Sequence, residues 1–361
     1  MTALAYFVTP HGFGHAARAA AVMTALQARR PALAIQLFTT VPEWFFRESV
    51  RGPFTYHALA TDVGLAQTSP LTADLPETVR RLDALLPFEP ERVAGLAAQV
   101  RASGCRAVLC DIAALGIAVA AAAGVPSILI ENFTWDWIYA GYFAEAPALR
   151  AHAAAFRELY AGAAYHIQTT PACAPSPHAA LTTAPVARPT RQPRAAVRAQ
   201  LGVAANAVMV LVTMGGFEVQ YDFLDRLAAF PEIVFVLPLG GETTARRGNV
   251  LLLPHHTPVY HPDLLAAADA VIGKLGYSTL AEADLAGVPF GFLRRPGFRE
   301  SADLAAYALD QMAAVEVPLD EFEAGAWGRF LPRLLARPQR AAGRPNGADQ
   351  IADFIFARVI G

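Results

Sequence analysis

The sequence predicts an α/β protein with two doubly wound domains, each built around a parallel β-sheet. Short, uninterrupted apolar runs alternate with helical segments along the chain, a pattern typical of parallel sheets that are covered on both faces. The alternation stops once, in a proline-rich segment at 171–194, and then starts again. Because segments of this composition suit linkers, the break indicates two domains.

The first half opens with an apolar run at Ala3–Thr9, which predicts a strand. An alanine-rich segment at His15–Arg30 follows it and predicts a helix, as does a second such segment at Ala113–Ala123. Apolar runs predict the remaining strands of this half, which are Ile35–Thr39, Phe54–Leu59, Arg106–Cys110, Ser127–Ile130 and Ala164–Gln168.

A charge-free stretch from Ile112 to Ile130 is long enough to span a bilayer as a helix. It contains a Gly-Val-Pro sequence at 124–126, however, and charged residues bound it on both sides. A helix, a turn and a buried strand explain the stretch better, so no transmembrane segment is expected.

The second half repeats the alternation of strands and helices. Its expected strands are Val208–Thr213, Ile233–Leu237, Val250–Leu253, Ala270–Gly273 and Phe290–Leu293. Its expected helices are Tyr221–Ala229, Asp263–Ala268, Ser278–Ala286 and Asp349–Val359. The predicted domains are 1–185 and 186–345, and the last helix, within 346–361, is expected to pack back on the first domain. Ligands of doubly wound folds bind at the carboxyl ends of the strands, here in a cleft between the two domains.

The composition is that of a globular protein with a large core, since 54% of the residues are hydrophobic and 17% are charged. The net charge is −2, with acids and bases interspersed, so the expected partner is a small molecule and not nucleic acid or an anionic membrane. The three cysteines lack zinc-site spacing, and no basic region precedes the first apolar run. We therefore expect reduced thiols, no signal peptide and a cytoplasmic protein.

A glycine-containing loop, HGFGHAAR at 11–18, joins the first strand to the first helix. Its glycines allow a sharp turn close to a ligand, and the helix N-terminus offers free N–H groups to an anion. Gly12-x-Gly14-x-x-Ala17 also matches the dinucleotide fingerprint. That fingerprint requires an acidic residue at the end of the second strand, where this chain has Thr39-Thr40-Val41-Pro42. The sequence therefore disfavours a dehydrogenase.

Two histidines, His11 and His15, flank these glycines. His15 could act as a general base toward a substrate hydroxyl, or it could serve only as a helix cap. A histidine base needs a carboxylate to orient it. Asp111, at the end of an apolar strand, is the candidate, and it could also cap the helix that follows it.

A polar and aromatic segment, ENFTWDW, follows another apolar strand at 131–137. Amide, carboxylate and aromatic groups of this kind bind sugars by hydrogen bonding and stacking. Asn132, Trp135 and Asp136 are therefore candidates for binding a substrate. The alternative is a helix start with Thr134 as its cap and two core tryptophans.

The second half contains a matching set of candidates for binding a nucleoside diphosphate. Gly215 and Gly216 follow a strand and could present backbone N–H groups to a phosphate. The only lysine of the chain, Lys274, precedes a helix start with hydroxyl groups, and an acidic residue lies one turn further on the same face. These residues could bind a diphosphate and a ribose, or they could form a helix cap; they are Gly276, Ser278, Thr279 and Glu282.

Several segments together resemble a known family. The segment GYSTLAEADLAGVP at 276–289 resembles the nucleotide-sugar donor motif of GT-B glycosyltransferases, the MurG-like and UDP-glycosyltransferase families. The segments HGFGHAAR at 11–18, NFTWDWIY at 132–139, GKLGYST at 273–279 and FLRR at 292–295 resemble the N-terminal glycosyltransferase-like module of plant-type L-arabinokinases. The resemblance extends over most of the chain and does not include a kinase domain.

The resemblance implies a GT-B fold, in which two Rossmann-like domains face each other across a cleft. It implies that the acceptor site includes the loop residues His11, Gly12, Phe13 and Gly14, and that His15 is a base oriented by Asp111. It further implies that His255 contacts the nucleotide base and that Arg294, Arg295 and Glu300 lie near the donor sugar. No Asp-x-Asp sequence occurs in the chain, which fits a GT-B enzyme that needs no metal.

These features predict a glycosyltransferase that uses a nucleotide-diphosphate sugar, most simply a UDP-sugar, as co-substrate without a further cofactor. The acceptor would be a small molecule or a glycan. Two alternatives share the architecture. One is an isomerase of the UDP-N-acetylglucosamine 2-epimerase type, and the other is a sugar-nucleotide-binding protein without catalysis.

Overall fold

The computed structural model describes residues 2–69, 72–215, 221–254, 257–340 and 343–361, without the side chains of 239–241. The chain divides into two compact units. The first unit consists of Met1–Arg188, Gly297–Glu300 and Pro345–Gly361, and the second of Pro189–Pro296 and Ser301–Arg344. The segment Gly297–Glu300 thus groups with the first unit, although the sequence prediction placed it within 186–345.

The first unit is built on a seven-stranded parallel sheet. The strands of this sheet are β1 (Ala3–Val8), β2 (Ala34–Thr39), β3 (Phe54–Ala58), β6 (Cys105–Asp111), β7 (Ser127–Glu131), β8 (Tyr165–Thr169) and β9 (Leu181–Thr183). A separate antiparallel pair is formed by β4 (Gln67–Ser69) and β5 (Thr72–Ala73). The sheet order is β3-β2-β1-β6-β7-β8-β9. Because all seven strands are parallel, their carboxyl ends lie at one edge, where β1 and β6 are neighbours.

Strand β9 corrects one expectation from the sequence. The proline-rich segment 171–194 was expected to be a linker, but Leu181–Thr183 pairs in parallel with β8 and the first unit continues to Arg188. The backbone N–H and C=O groups of this stretch thus extend the sheet. Its prolines lie outside the three paired residues, so they do not interrupt the ladder.

The helices of the first unit precede or follow its strands. They are α1 (Phe13–Arg29), α2 (Glu43–Ser49), α3 (Leu75–Leu85), α4 (Pro90–Ala102), α5 (Ala114–Ala123), α6 (Trp135–Ala140) and α7 (Leu149–Ala161). The stretch from Ile112 to Ile130 forms α5, a left-handed turn at Gly124 and most of β7, as expected. Within the described ranges, no helix has both the length and the apolar character needed to cross a membrane.

The second unit has its own seven-stranded sheet, parallel except for one edge strand, β12. Its strands are β10 (Val208–Thr213), β11 (Ile233–Gly241), β12 (Ala245–Arg247), β13 (Val250–Pro254), β14 (Ala270–Lys274), β15 (Phe290–Leu293) and β16 (Ala314–Glu316), in the order β12-β13-β11-β10-β14-β15-β16. Its helices are α8 (Arg194–Gln200), α9 (His261–Ala267), α10 (Tyr277–Ala286), α11 (Ser301–Gln311), α12 (Leu319–Glu323) and α13 (Leu331–Leu335), with a 3₁₀ helix at Leu224–Ala229. The strands β10 and β14 are neighbours at the centre of this sheet.

The C-terminal helix α14 (Gly347–Ile355), extended by a π-helical turn at Phe356–Ile360, belongs to the first unit. The Asn346 side chain caps it by accepting a hydrogen bond from the Ala348 N–H at 3.0 Å. It packs against α1, where Arg29 pairs with Asp349 at 3.1 Å and with Asp353 at 2.6 Å.

Candidate functional site

A histidine–aspartate pair lies at the carboxyl edge of the first sheet. His15 is in the first turn of α1 and Asp111 is the last residue of β6. The His15 Nδ1 atom is 2.8 Å from Asp111 Oδ1, and the two residues are 7% and 0% exposed. An ionised carboxylate can only accept hydrogen bonds, so Nδ1 carries the hydrogen and the lone pair is on Nε2. This tautomer is the one that a general base requires.

Arg18 also binds the carboxylate of this pair. Its guanidinium donates to both Asp111 oxygens, from Nε to Oδ2 at 2.7 Å and from Nη2 to Oδ1 at 2.7 Å. It also donates from Nη1 to Asn132 Oδ1 at 2.6 Å. Arg18 lies three residues after His15 on the same face of α1, and it is 1% exposed. The sequence analysis assigned no role to this arginine.

The charges within the cluster set its protonation. Burial alone would raise the pKa of the Asp111 carboxyl, but Arg18 and His15 together hold that pKa below its ordinary value. Burial lowers the pKa of His15, and although Asp111 opposes this effect, the Arg18 charge adds to it. At neutral pH the cluster therefore contains an ionised aspartate, an arginine cation and a neutral imidazole.

The backbone turns sharply immediately after Asp111. Ile112 has a φ of 46°, the only positive φ of a non-glycine residue among the described residues. A β-branched residue in this region costs on the order of 1–3 kcal/mol, and such strain is concentrated at functional sites. The Tyr160 hydroxyl donates to the Ile112 carbonyl at 2.8 Å, and Ile112 forms a bridge with Val8. These contacts fix the turn that ends the strand at Asp111.

A second buried carboxyl, Asp62, lies close to the same edge of the sheet. The Thr9 hydroxyl donates to Asp62 Oδ1, and the Trp135 indole N–H donates to Asp62 Oδ2 at 3.0 Å. Burial raises the pKa of Asp62 to about 7, against the lowering effect of these two hydrogen bonds, and the Asp111 charge adds to the rise. The sequence analysis did not identify Asp62.

Replacing Asp62 by asparagine is expected to stabilise the protein at high pH. The unfolded Asp62 ionises near pH 3.8 and the folded one near pH 7, so the wild-type protein loses stability as the pH rises between these values. Above pH 7 the loss is constant and amounts to at most about 4 kcal/mol. Asparagine keeps the shape and can accept from Trp135 and donate to Thr9. Urea denaturation of both proteins should give similar free energies of unfolding at pH 4 and a more stable variant at pH 8; equal values at both pH values would contradict the assignment.

Several aromatic side chains surround the two histidines. The His11 ring lies edge-on to Trp135 with centroids 5.1 Å apart, and His15 lies edge-on to Phe133 at 5.7 Å. A Cβ atom on Gly64 would be 2.7 Å from His11 Nδ1, so the loop that contains Asp62 fits closely over that ring. The structure thus brings together His11, His15, Asp111, Asn132 and Trp135, which the sequence analysis named as candidates for catalysis or acceptor binding.

Other predicted residues of the first unit have different neighbours. The Phe13 ring stacks on Phe45, with centroids 4.9 Å apart, and Asp136 pairs with Arg157 at 3.4 Å. Gly12 precedes α1 with a φ of 74°, a conformation that favours glycine, and Gly14 lies within the first turn of the helix. The loop therefore has the glycine-dependent turn that its sequence predicted.

In the second unit, Lys274 ends β14 and lies beside the turn that follows β10. A Cβ atom on Gly215 would be 3.2 Å from Lys274 Cε, so the lysine side chain passes directly over this glycine. Gly215 has a φ of 67°, which again favours glycine. Gly216 and His255, which were predicted to contact the donor, lie outside the described residues.

The helix α10 begins beside this lysine. Its N-cap residue is Gly276, which has no side chain to cap the helix, and Ser278 and Thr279 lie in its first turn. Glu282 is 4% exposed, and its Oε2 atom is 3.3 Å from His261 Nδ1 at the start of α9. The sequence analysis did not identify His261, because only the packing of α9 against α10 places it beside Glu282.

The three residues predicted near the donor sugar differ in their partners and in the unit to which they belong. Arg294 forms a two-bond pair with Glu316, at 2.9 and 2.6 Å. Arg295 is buried and its backbone N–H donates to Ser301 Oγ at 2.9 Å, whereas Glu300 belongs to the first unit. Over the part of the chain that the structure describes, no group of three or more His, Cys, Asp or Glu side chains could hold a metal ion.

Known proteins resemble this chain in sequence. It is 28% identical to L-arabinokinase of Arabidopsis thaliana over 362 residues, which cover 99% of this chain and 34% of that protein. It is also 28% identical over 150 residues, or 38% of its length and 41% of the relative, to a UDP-N-acetylglucosamine–N-acetylmuramyl-(pentapeptide) pyrophosphoryl-undecaprenol N-acetylglucosamine transferase of Corynebacterium diphtheriae. This chain therefore spans about a third to two-fifths of these relatives' lengths. No family model matches it.

Solved structures resemble it along nearly the whole chain. The spinosyn forosaminyltransferase SpnP superimposes with a TM-score of 0.62 at 16% identity, covering 99% of this chain and 95% of that one. Arabidopsis thaliana UGT89C1 complexed with UDP gives a TM-score of 0.63 at 13% identity, covering 99% of both chains. MurG of Acinetobacter baumannii gives 0.58 at 14% identity, covering 99% and 100%. These likenesses confirm the fold that the sequence motifs predicted.

Proposed function

Because this chain has the GT-B fold, we propose that it transfers a sugar from a nucleotide-diphosphate sugar to an acceptor without a metal ion. The observation that carries the proposal is the buried His15–Asp111 pair at the carboxyl edge of the first sheet. A histidine held in this tautomer is suited to remove a proton from an acceptor hydroxyl. Solved glycosyltransferase structures and the transferase of Corynebacterium diphtheriae support the same reaction class.

In the proposed reaction the acceptor oxygen gives its proton to His15 Nε2 and forms a bond to the anomeric carbon of the donor. The bond between that carbon and the diphosphate breaks, and its electrons leave with the nucleoside diphosphate. Asp111 stabilises the imidazolium that forms, as a buried carboxylate does in other histidine-dependent enzymes. His11, Asn132 and Trp135 are the proposed acceptor-binding residues.

One atom supports acceptor binding beside His15. Asn132 is fully buried, and its Nδ2 group finds no hydrogen-bond acceptor among the described residues. Buried donors almost always have a partner, and unsatisfied ones are costly. A hydroxyl or carbonyl oxygen of the acceptor would complete the hydrogen bonding of this amide while its Oδ1 stays on Arg18.

The second unit supplies the proposed donor-binding groups. The positive charge of Lys274 and the N–H groups at the start of α10 are suited to a leaving diphosphate, whose charge grows in the transition state. Ser278 and Thr279 add hydroxyl groups. Glu282 is proposed to accept hydrogen bonds from the ribose hydroxyls, and UDP is the proposed nucleotide, as in the UDP complex of the similar structure.

Glu282→Gln is expected to weaken nucleotide-sugar binding roughly ten- to hundredfold, since hydrogen bonds to a charged group contribute about 1.5–3 kcal/mol. Titration calorimetry with UDP-, GDP-, dTDP- and ADP-sugars would measure the dissociation constants of both proteins. The exposed Glu323 on α12 provides a matched control, because Glu323→Gln should leave binding unchanged. Equal affinity of the Glu282 and Glu323 variants would contradict the proposed ribose contact.

Product analysis of the tightest-binding donor then tests the reaction itself. Transfer of the sugar to an acceptor supports the proposal. A change in the sugar's stereochemistry without an acceptor would indicate the isomerase instead. Binding without turnover of any donor would indicate a sugar-nucleotide-binding protein, and no binding at all would contradict the donor site.

A further inference from the structure

The buried guanidinium of Arg18 is the feature that the proposed reaction leaves unused. A histidine–aspartate pair needs only its two members to hold the imidazole in the correct tautomer. Here the carboxylate of Asp111 accepts two hydrogen bonds from Arg18 in addition to the one from His15. The arrangement is therefore a three-residue cluster whose fixed charges differ from those of a simple pair.

Arg18 offsets the negative charge of Asp111. In a bidentate pair the positive guanidinium lies within a few ångströms of the carboxylate, so neighbouring groups experience less of its negative charge. The Arg18 Nη2 atom shares Asp111 Oδ1 with His15 Nδ1, and it is itself 3.3 Å from that ring nitrogen. A protonated His15 would thus face a neutralised carboxylate and a nearby cation.

Arg18 also sets the geometry of the cluster. Arg18 reaches Asp111 on β6 and Asn132 just after β7 with the same guanidinium. Its planar fork can hold both groups, whereas a lysine ammonium could not reproduce this set of contacts. The proposed orienting carboxylate and the proposed acceptor amide are therefore placed relative to one another by one side chain.

We propose that Arg18 is a positioning residue that lowers the proton affinity of His15 and aligns Asp111 with Asn132, so that the base remains unprotonated in mildly acidic solution. The role of Arg18 in catalysis rests on the proposed function, whereas its effect on the protonation of His15 does not. Burial and the Arg18 charge both lower the pKa of His15, which agrees with this effect.

Three other titratable groups near the cluster, Tyr6, Cys110 and Asp62, cannot supply this positive charge. Burial raises the pKa of Tyr6 on β1 and of Cys110 on β6, which keeps both neutral. Asp62, in the loop after β3, would favour a protonated His15 if it were ionised. His11, whose ring centroid is 6.4 Å from that of His15, is a further titratable neighbour. Among the described residues, Arg18 is a permanently charged cation in contact with the imidazole.

The direct test is a nuclear magnetic resonance titration of His15 in the full chain without ligands. The signal is assigned by its absence from His15→Gln. The proposal requires a midpoint below about 6.5 in the wild-type protein and an increase of about one pH unit or more in Arg18→Gln. A wild-type midpoint at or above the ordinary value would overturn it, and so would an unchanged or lower midpoint in Arg18→Gln.

Arg18→Gln could fail to fold because it leaves Asp111 buried with less compensation. The wild-type titration can then still overturn the proposal, and Arg18→Lys provides a second variant that keeps the positive charge. We expect its His15 midpoint to stay within about half a unit of the wild-type value, since the charge is what lowers proton affinity. A midpoint in Arg18→Lys that rises by a full unit would contradict the proposed role of the charge.

Kinetics separate this inference from the proposed function. If transfer is observed, the acidic limb of kcat/KM plotted against pH should lie at the wild-type midpoint and move upward with it in Arg18→Gln. If the titration gives the expected shifts but no donor is turned over, the role of Arg18 stands and the proposed function fails. If transfer occurs but its acidic limb does not follow the midpoint of His15, the catalytic meaning given to Arg18 is wrong.

Discussion

Replacing His15 by asparagine is expected to lower sugar transfer about 10²–10⁴-fold while leaving nucleotide-sugar binding intact. Asparagine can still donate from Nδ2 to Asp111, which replaces the hydrogen bond that His15 makes at 2.8 Å. It offers no group that takes up a proton at neutral pH. The substitution therefore removes the base and preserves the hydrogen bond. Initial rates of sugar transfer at saturating donor would measure the loss of activity.

Two controls define what this result means. His178→Ala removes an exposed histidine of the same unit and should transfer at the wild-type rate. Calorimetric titration of His15→Asn with the donor should return the wild-type dissociation constant, since the proposed donor groups are in the second unit. Wild-type rates in His15→Asn would refute the role of His15 as base, and loss of donor binding would assign it a binding role.

The expected order of strands and helices follows from features that the sequence states directly. The central strands β1, β10 and β14 are buried on both faces and appear as continuous apolar runs, so their ends were predicted within a residue. The helices α3 and α4 were missed. Each begins at or next to a proline, Pro76 or Pro90, and carries many charged residues, so their composition resembled that of a loop.

The sequence predicted those residues of the candidate site that combine a reactive side chain with a position at the end of a predicted strand. His15 and Asp111 were identified because a glycine loop and an apolar strand placed them at the same edge of a sheet. Arg18 was not, because arginines are rarely buried and nothing local marks this one as an exception. Its partners are 93 and 114 residues away.

Asp62 illustrates a different reason for a missed residue. It lies in a loop without helical or strand periodicity, and its partners Thr9 and Trp135 are 53 and 73 residues away. Periodicity can predict which face of an element is buried, but it carries no information about a carboxyl that is buried by tertiary contacts alone. Only the assembled sheet edge brings the three residues together.

Replacing Asp111 by asparagine is expected to cost about 3–5 kcal/mol of unfolding free energy at neutral pH. The substitution removes the Asp111 carboxylate from the Arg18 guanidinium, which is 1% exposed, and breaking one side of a buried ion pair is strongly destabilising. Urea denaturation at pH 7 would measure the difference. The control is Asp353→Asn, because Asp353 pairs with Arg29 at the surface and its side chain is 68% exposed. That change should cost less than about 1 kcal/mol.

The pH dependence of this difference tests its origin. Arg18 and His15 hold the pKa of folded Asp111 below its ordinary value of 3.8, so the stabilisation is present above that pH and is lost as the pH falls through the folded value. The difference in stability between the wild-type protein and Asp111→Asn should therefore shrink as the pH falls below 3.8. A difference that stays constant down to the lowest pH at which both proteins remain folded would mean that shape and packing, and not charge, hold Asp111 in place. The double variant Arg18→Met/Asp111→Asn provides the second test: because it removes both charges, it should be more stable than Asp111→Asn alone, and the difference is the cost of leaving Arg18 buried without its carboxylate.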